Sequence, residues 1–250
     1  MTRILLEICC GSIDDAIESE AGGADRVELC SALFLGGLTP SLGAVLEAKA
    51  RLKIPVMVMI RPRAGGFCYS DAEMASMERD AELAIAHGAD GLVFGILRPD
   101  GTVDVERCRR ILKRAGSRQS VFHRAFDVTP DPFLALDQIA HLGFTRILTS
   151  GQEDSALDAL PAIQRFIEYA GDRIEILPGG GIRPASVPEV VRQTGCRQVH
   201  LTAFKTVIDS STTGHPNVTF GGAIQPREDQ FQITDRDLVR RIKQSIGPEP

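Results

Sequence analysis

Four ionisable side chains stand where the sequence around them is otherwise apolar. Glu7 interrupts Leu5-Leu6-x-Ile8, Glu28 interrupts Val27-x-Leu29, Arg61 follows Met57-Val58-Met59-Ile60, and His123 follows Val121-Phe122. A charge buried without a partner is expensive, so residues in such places are paired, wet or functional. Two carboxylates on neighbouring strands raise each other's pKa unless a cation intervenes. Arg61 is the expected cation, and His123 is a group able to exchange protons near neutral pH. On this reading Glu7 or Glu28 is a base, His123 its acid–base partner, and Arg61 a stabiliser of charge on a small anionic or phosphorylated metabolite. The same four residues also fit a structural ion-pair network. Glu175, between Ile174 and Ile176, and His200, between Val199 and Leu201, break the apolar pattern in the same way, but away from the strand ends.

Two glycine-bearing turns add a second kind of chemistry. Leu148-Thr149-Ser150-Gly151 follows one apolar run and Pro178-Gly179-Gly180-Gly181 another. Backbone N–H groups freed by such turns cradle anions, which makes Ser150, Gly151, Gly179, Gly180 and Gly181 candidate anion-binding residues. Glycines there also let a tight turn pass a crowded rim.

The cysteines offer a third. Side chains alternate along a strand, so Cys9 shares a face with Glu7, and Cys30 with Glu28. Two thiolates, with thioether from Met57 or Met59, are soft donors that suit Cu(I). Cys10 is expected to face a helix layer, and Cys108 and Cys196 to pack as small hydrophobes. Cys68 falls in a loop whose path the sequence leaves open. Spacing alone fits Cys9 and Cys30 equally well as packing residues.

Positioning these side chains requires a regular frame, and the chain supplies one. An amphipathic stretch repeatedly ends at glycine just before a short apolar run: Gly22-Gly23 before residues 26–29, Gly88 before 91–94, and Gly116 before 120–122. The pattern recurs at Gly143 before 146–148, Gly171 before 174–177, and Gly195 before 198–201. Glycine after a helix is the usual C-terminal signal. Ser12 with Asp15, Ser70 with Glu73, Thr39 before Pro40 and Asp131 before Pro132 read as helix starts. Counting residues 4–8 as the first strand and 56–60 as the third gives eight strands, each followed by a helix. Such alternation predicts a parallel sheet, and eight units in 250 residues predict a TIM (β/α)8 barrel forming one domain over 1–250. A doubly wound open sheet is the alternative. Residues 203–234, rich in Gly and Thr, are expected to be an irregular insertion before a last helix near 235–246.

Net charge is −5 at 43% hydrophobic content, which argues against nucleic acid or an anionic membrane as partner. No apolar run has the length of a membrane span, and the N-terminus reads as a strand, not as a signal peptide. Six cysteines without a C-x-x-C pair are expected to be reduced thiols of a cytoplasmic protein.

Several motifs together resemble the CutC copper-homeostasis family. They are Leu6-Glu7-Ile8-Cys9-Cys10, Gly23-Ala24-Asp25-Arg26-Val27-Glu28-Leu29-Cys30, Gly36-Gly37-Leu38-Thr39-Pro40-Ser41 and Ile60-Arg61-Pro62-Arg63. Phe67-Cys68-Tyr69-Ser70-Asp71, Phe122-His123-Arg124-Ala125-Phe126-Asp127 and Leu148-Thr149-Ser150-Gly151 complete the set. The resemblance runs from residue 4 to about 202 and is expected to fade beyond Ala203. It implies a TIM barrel, a cytoplasmic homo-oligomer and a role in copper homeostasis, with Cys9 and Cys30 at the family's Cu(I)-binding positions. Beside it stands the other reading, a metal-independent isomerase or lyase. Lys205 is the nearest lysine for Schiff-base chemistry, and it lies in the least regular segment.

Overall fold

The computed structural model describes residues 3–215, 217–220 and 228–247. Eight parallel strands alternate with helices: β1 (Leu5–Cys10), β2 (Arg26–Leu29), β3 (Val56–Met59), β4 (Gly91–Phe94), β5 (Gln119–Phe122), β6 (Arg146–Thr149), β7 (Glu175–Pro178) and β8 (Gln198–Leu201). Between and after them lie α1 (Ile13–Gly22), α2 (Leu42–Arg51), α3 (Asp71–Ala86), α4 (Val105–Ala115), α5 (Pro132–Leu142), α6 (Leu160–Ala170), α7 (Val187–Thr194) and α8 (Arg236–Ser245). Each strand pairs with its sequence neighbour, β1 also pairs with β8, and a single bridge from Gly179 to His200 joins β7 to β8. The sheet is thus a nearly closed eight-stranded barrel, as the alternation predicts.

Local signals set the helix ends. Ser12 accepts from the amide of Asp15, Ser70 and Glu73 form a capping box, and Asp131 caps α5 with Pro132 behind it. Thr39 is a correction: α2 is capped by Ser41, and the Thr39 hydroxyl accepts instead from the amide of Arg61 at 2.9 Å.

Residues 216 and 221–227 of the expected irregular insertion lie outside the described residues, but the described part of 203–234 is more regular than expected. It holds an antiparallel ribbon, β9 (Phe204–Ile208) with β10 (Gln230–Thr234), on which Lys205 is exposed. Among the described residues no helix is long and apolar enough to cross a membrane.

Two apolar cores result. The larger fills the space between barrel and helices and includes Leu6, Ile8, Cys10, Phe94 and Phe122. The smaller lines the barrel interior with Cys9, Cys30, Met57, Met59, Val93, Val121, Leu148 and Leu177. Alternation therefore sends Cys9 inward and Cys10 outward, where its sulfur meets Ser19 of α1. Cys108 and Cys196 are buried as expected, and Cys68 is exposed.

Candidate functional site

The barrel interior is tiered. At its base the inward side chains form a chain of polar contacts. Arg26 binds Glu7 and donates to Gln198 at 2.9 Å, and Gln198 donates to Glu175 at 3.0 Å. Arg146 lies 3.6 Å from Glu175 and also donates to Gln119. Glu7 belongs to this tier. It is the third residue of the six in β1, opposite Arg26 at the start of β2, so β1 continues well past it toward the mouth.

Its other oxygen faces Nδ1 of His200, across the β1–β8 pairing, at 2.7 Å. Burial pushes the Glu7 carboxyl up, but Arg26, His200 and Arg146 together hold it well below the usual range. It is a committed carboxylate, poorly suited to take a proton.

Above it, Cys9 stands opposite Glu28 in the β1–β2 register, and Cys30 lies one alternation further along. Their sulfurs are 3.2 and 3.5 Å from the same Glu28 oxygen, Oε2, while Oε1 is buried without a partner. His200 Nε2 is 3.7 Å from Oε2, so one imidazole links the two glutamates. The ligand atoms of Cys9, Glu28 and Cys30 all lie within 4.8 Å of one another.

The hydrogen bond from Cys30, helped by His200 and opposed by burial, lowers the Cys9 thiol to about 5. That same bond, with burial, raises Cys30 well above its ordinary value. Burial, the Cys9 charge and Glu7, opposed by His200, raise the Glu28 carboxyl well above its ordinary range, which favours the proton of the Cys9–Glu28 contact on the carboxyl. For His200, burial alone would favour the neutral ring, but Glu28, Cys9 and Glu7 outweigh it and raise the pKa well above 6.5. The arrangement is a thiolate beside a thiol, a neutral carboxyl and an imidazolium. The loop after β2 covers it: Leu33 packs against this core, and at Gly37 (φ +82°) a Cβ would stand 3.3 Å from the Cys30 sulfur.

Arg61 does not stand between the glutamates. Its guanidinium donates to the carbonyls of Leu35, Gly37 and Gly65, bracing two rim loops, and Arg26 takes the place beside Glu7. His123 is buried at the end of β5, where burial first and then the Arg61 charge lower its pKa to about 3. At that value the ring is neutral at physiological pH. The four expected catalytic residues are therefore divided between interior and rim, and the acid–base cluster expected of them does not form.

The glycine turns separate as well. The Ser150 amide donates to Asp127, at 3.0 and 3.1 Å to its two oxygens, and the Gly151 amide to Thr149 Oγ1 at 2.9 Å. The anion cradled there is the protein's own carboxylate. Gly179 pairs with Thr149 and His200, while Gly180 (φ +98°) lets Arg124 approach to where a Cβ would be 2.9 Å from Cζ. A Cβ on Gly181 (φ +68°) would meet Ser155 at 2.5 Å. Close packing accounts for all three.

Two interior residues escaped sequence reasoning as partners, Arg26 and His200. Arg26-x-Glu28-x-Cys30 is itself an alternation that points Arg26 inward. His200 needs the closing β1–β8 register, which no local signal gives.

Residues 4–206 match the model of the CutC family. A CutC family protein from Treponema denticola is 48% identical over 246 residues, 98% of this chain and 100% of that one. The human copper homeostasis protein cutC homolog is 43% identical over 238 residues, 95% of this chain and 87% of its own length. The family match ends at residue 206, close to where the resemblance was expected to fade, while the alignments with these two relatives extend over nearly the whole chain. The crystal structure of CutC from Streptococcus agalactiae superposes with a TM-score of 0.77 at 39% identity, covering 80% of this chain and 98% of that one. Phosphoribosylanthranilate isomerase from Thermotoga maritima, 14% identical with a TM-score of 0.56 over 97% of this chain and 98% of its own, shares the barrel fold alone.

Proposed function

The chain belongs to the CutC family, and from that premise we propose that it is a copper-homeostasis protein that binds Cu(I) through Cys9 and Cys30. The observation that carries this reading is the Cys9–Glu28–Cys30 group, whose ligand atoms converge from two adjacent strands inside the barrel. The donor chemistry fits. Thiolate sulfur is the preferred ligand of Cu(I), and Met57 and Met59 share the apolar lining of the same chamber. Cys9 is already ionised at neutral pH, whereas Cys30 must give up a proton to ligate. Binding is then coupled to proton release. Glu28 neighbours both sulfurs, and its carboxyl is placed to relay that proton.

An anaerobic Cu(I) titration against a chromophoric chelator tests the assignment on wild type and on the Cys9→Ser, Cys30→Ser double variant. Tight binding of one Cu(I) per chain, lost in the variant, is the expected result. Affinity unchanged in the variant would remove both cysteines from the site.

A further inference from the structure

The register that pairs Met59 with Val93, and Val93 with Val121, continues toward the mouth. Two residues on, just past the ends of β3, β4 and β5, Arg61, Gly95 and His123 continue that row. Gly95 leaves the middle of that row without a side chain. A Cβ there would fall 2.6 Å from His123 Nδ1, so the imidazole leans across β4 into the space. Phe67, from the loop ahead of α3, covers both neighbours: its ring centroid is 4.9 Å from that of His123 and 5.3 Å from Arg61 Cζ. Tyr69, two residues on, is 3% exposed and lies within reach of the Arg61 charge.

Each of the three polar residues holds a hydrogen with nowhere to go. His123 Nδ1 accepts from the amide of Ala125 at 3.2 Å, which puts the ring proton on Nε2, and Nε2 is buried and unpartnered. Arg61 spends both terminal nitrogens on carbonyls, while its Nε is buried without a partner. Among the described residues no carboxylate pairs with it. The Tyr69 hydroxyl is buried too, and although its oxygen lies within range of the Arg61 guanidinium, its own hydrogen finds no acceptor. Donors sealed from water and left unpaired are costly, and three at one rim call for an explanation.

We propose that Arg61, Tyr69 and His123 form a binding site for the oxyanion of a small carboxylate- or phosphate-bearing molecule, at the rim between β3 and β5 beneath Phe67. Arg63, over the Tyr69 ring, is paired with Glu73, so the uncompensated charge of Arg61 with two neutral donors complements an anion that offers several oxygens. A metal cation would meet only repulsion from Arg61, and an apolar ligand would leave all three donors unpaired. Because burial and Arg61 keep His123 neutral, it donates without adding charge. The site uses no residue of the copper centre.

The test is a histidine-15N NMR titration of the full chain with inorganic phosphate, acetate and chloride at constant ionic strength, with His123→Gln assigning the His123 signal. Saturable movement of the His123 Nε2 resonance with phosphate or acetate, but not chloride, is expected. The tighter of the two oxyanions identifies the source. Tyr69→Phe removes only the hydroxyl and should weaken binding about tenfold or more. Arg61→Met should abolish binding, although it also frees the rim loops, so Tyr69→Phe carries the test if that variant fails to fold. The Cys9→Ser, Cys30→Ser variant should respond like wild type, which separates this site from the copper reading. A His123 resonance unmoved by both oxyanions, or an affinity unchanged in Tyr69→Phe, would overturn the proposal.

Discussion

Glu7→Gln isolates what the base of the barrel contributes. Glu7 and Arg26 are 2% and 4% exposed, and Glu7 also receives His200 at 2.7 Å. Glutamine keeps the shape but brings an NH2 group between two donors, so one of Arg26 and His200 loses its acceptor. Removing one partner of a buried pair costs about 3–5 kcal/mol, mostly because the other charge stays buried. One retained hydrogen bond places this case near the lower end, about 3 kcal/mol. In a chain of this size each kcal/mol is roughly 2–4 °C in Tm, so a drop of about 6–12 °C is expected. Urea unfolding at neutral pH should show a lower midpoint at unchanged slope. The sign of the pH dependence follows from the depressed pKa of Glu7. Its contribution is complete above the unfolded value of 4.5 and is lost as pH falls below it. The gap between wild type and variant should therefore narrow in acid. A variant within about 0.5 kcal/mol of wild type at neutral pH, or a gap that widens on acidification, would refute the reasoning.

Two further outcomes follow from the upper tiers. The far-ultraviolet absorbance of a thiolate should persist at neutral pH and fall away through about 5; Cys9→Ser should remove it and Cys108→Ser should not. An absorbance that develops only near pH 9.0 would contradict an ionised Cys9. Gly95→Ala forces a methyl to 2.6 Å from His123 and 2.9 Å from the Ala125 side chain, so it should cost about 1–3 kcal/mol by overpacking, read as a lower unfolding midpoint. A neutral Gly95→Ala would mean that the His123 ring is free to move aside.

What the sequence made legible was local. Gly23, Gly143 and Gly195 adopt the left-handed C-caps read from the repeat, and Ser12, Ser70 and Asp131 cap as their spacing indicates. Each such signal is settled within four or five residues of chain. The meeting of Cys9, Glu28 and Cys30 was legible for a related reason: period-two alternation on two consecutive parallel strands suffices. What failed depended on distant pairing. Glu7 was expected beside Arg61, yet its place is set by the β1–β2 and β1–β8 registers, the latter joining residues 193 apart. Thr39 looked like a cap, but the Arg61 amide from β3's end claimed its hydroxyl. The β9–β10 ribbon was invisible because its residues are largely exposed, so no apolar period marks it.

The tiers also bear on which metal the interior can hold. At the base, Glu7 is pinned between Arg26 and His200, so it has no charge to lend a metal. One tier up, Glu28 stays protonated because Cys9 and Glu7 already hold negative charge beside it. A cation entering there meets one thiolate, one thiol and an imidazolium. Loading a monovalent ion onto Cys9 and Cys30 with release of the Cys30 proton leaves the buried charge unchanged. A divalent ion exchanged for that one proton would leave an extra positive charge beside His200, far from water, where it is strongly disfavoured. It would have to draw off a second proton as well, from the His200 imidazolium or from the Glu28 carboxyl. On the proposed reading, a monovalent ion is taken up with loss of a single proton, and soft thiolate ligation favours copper.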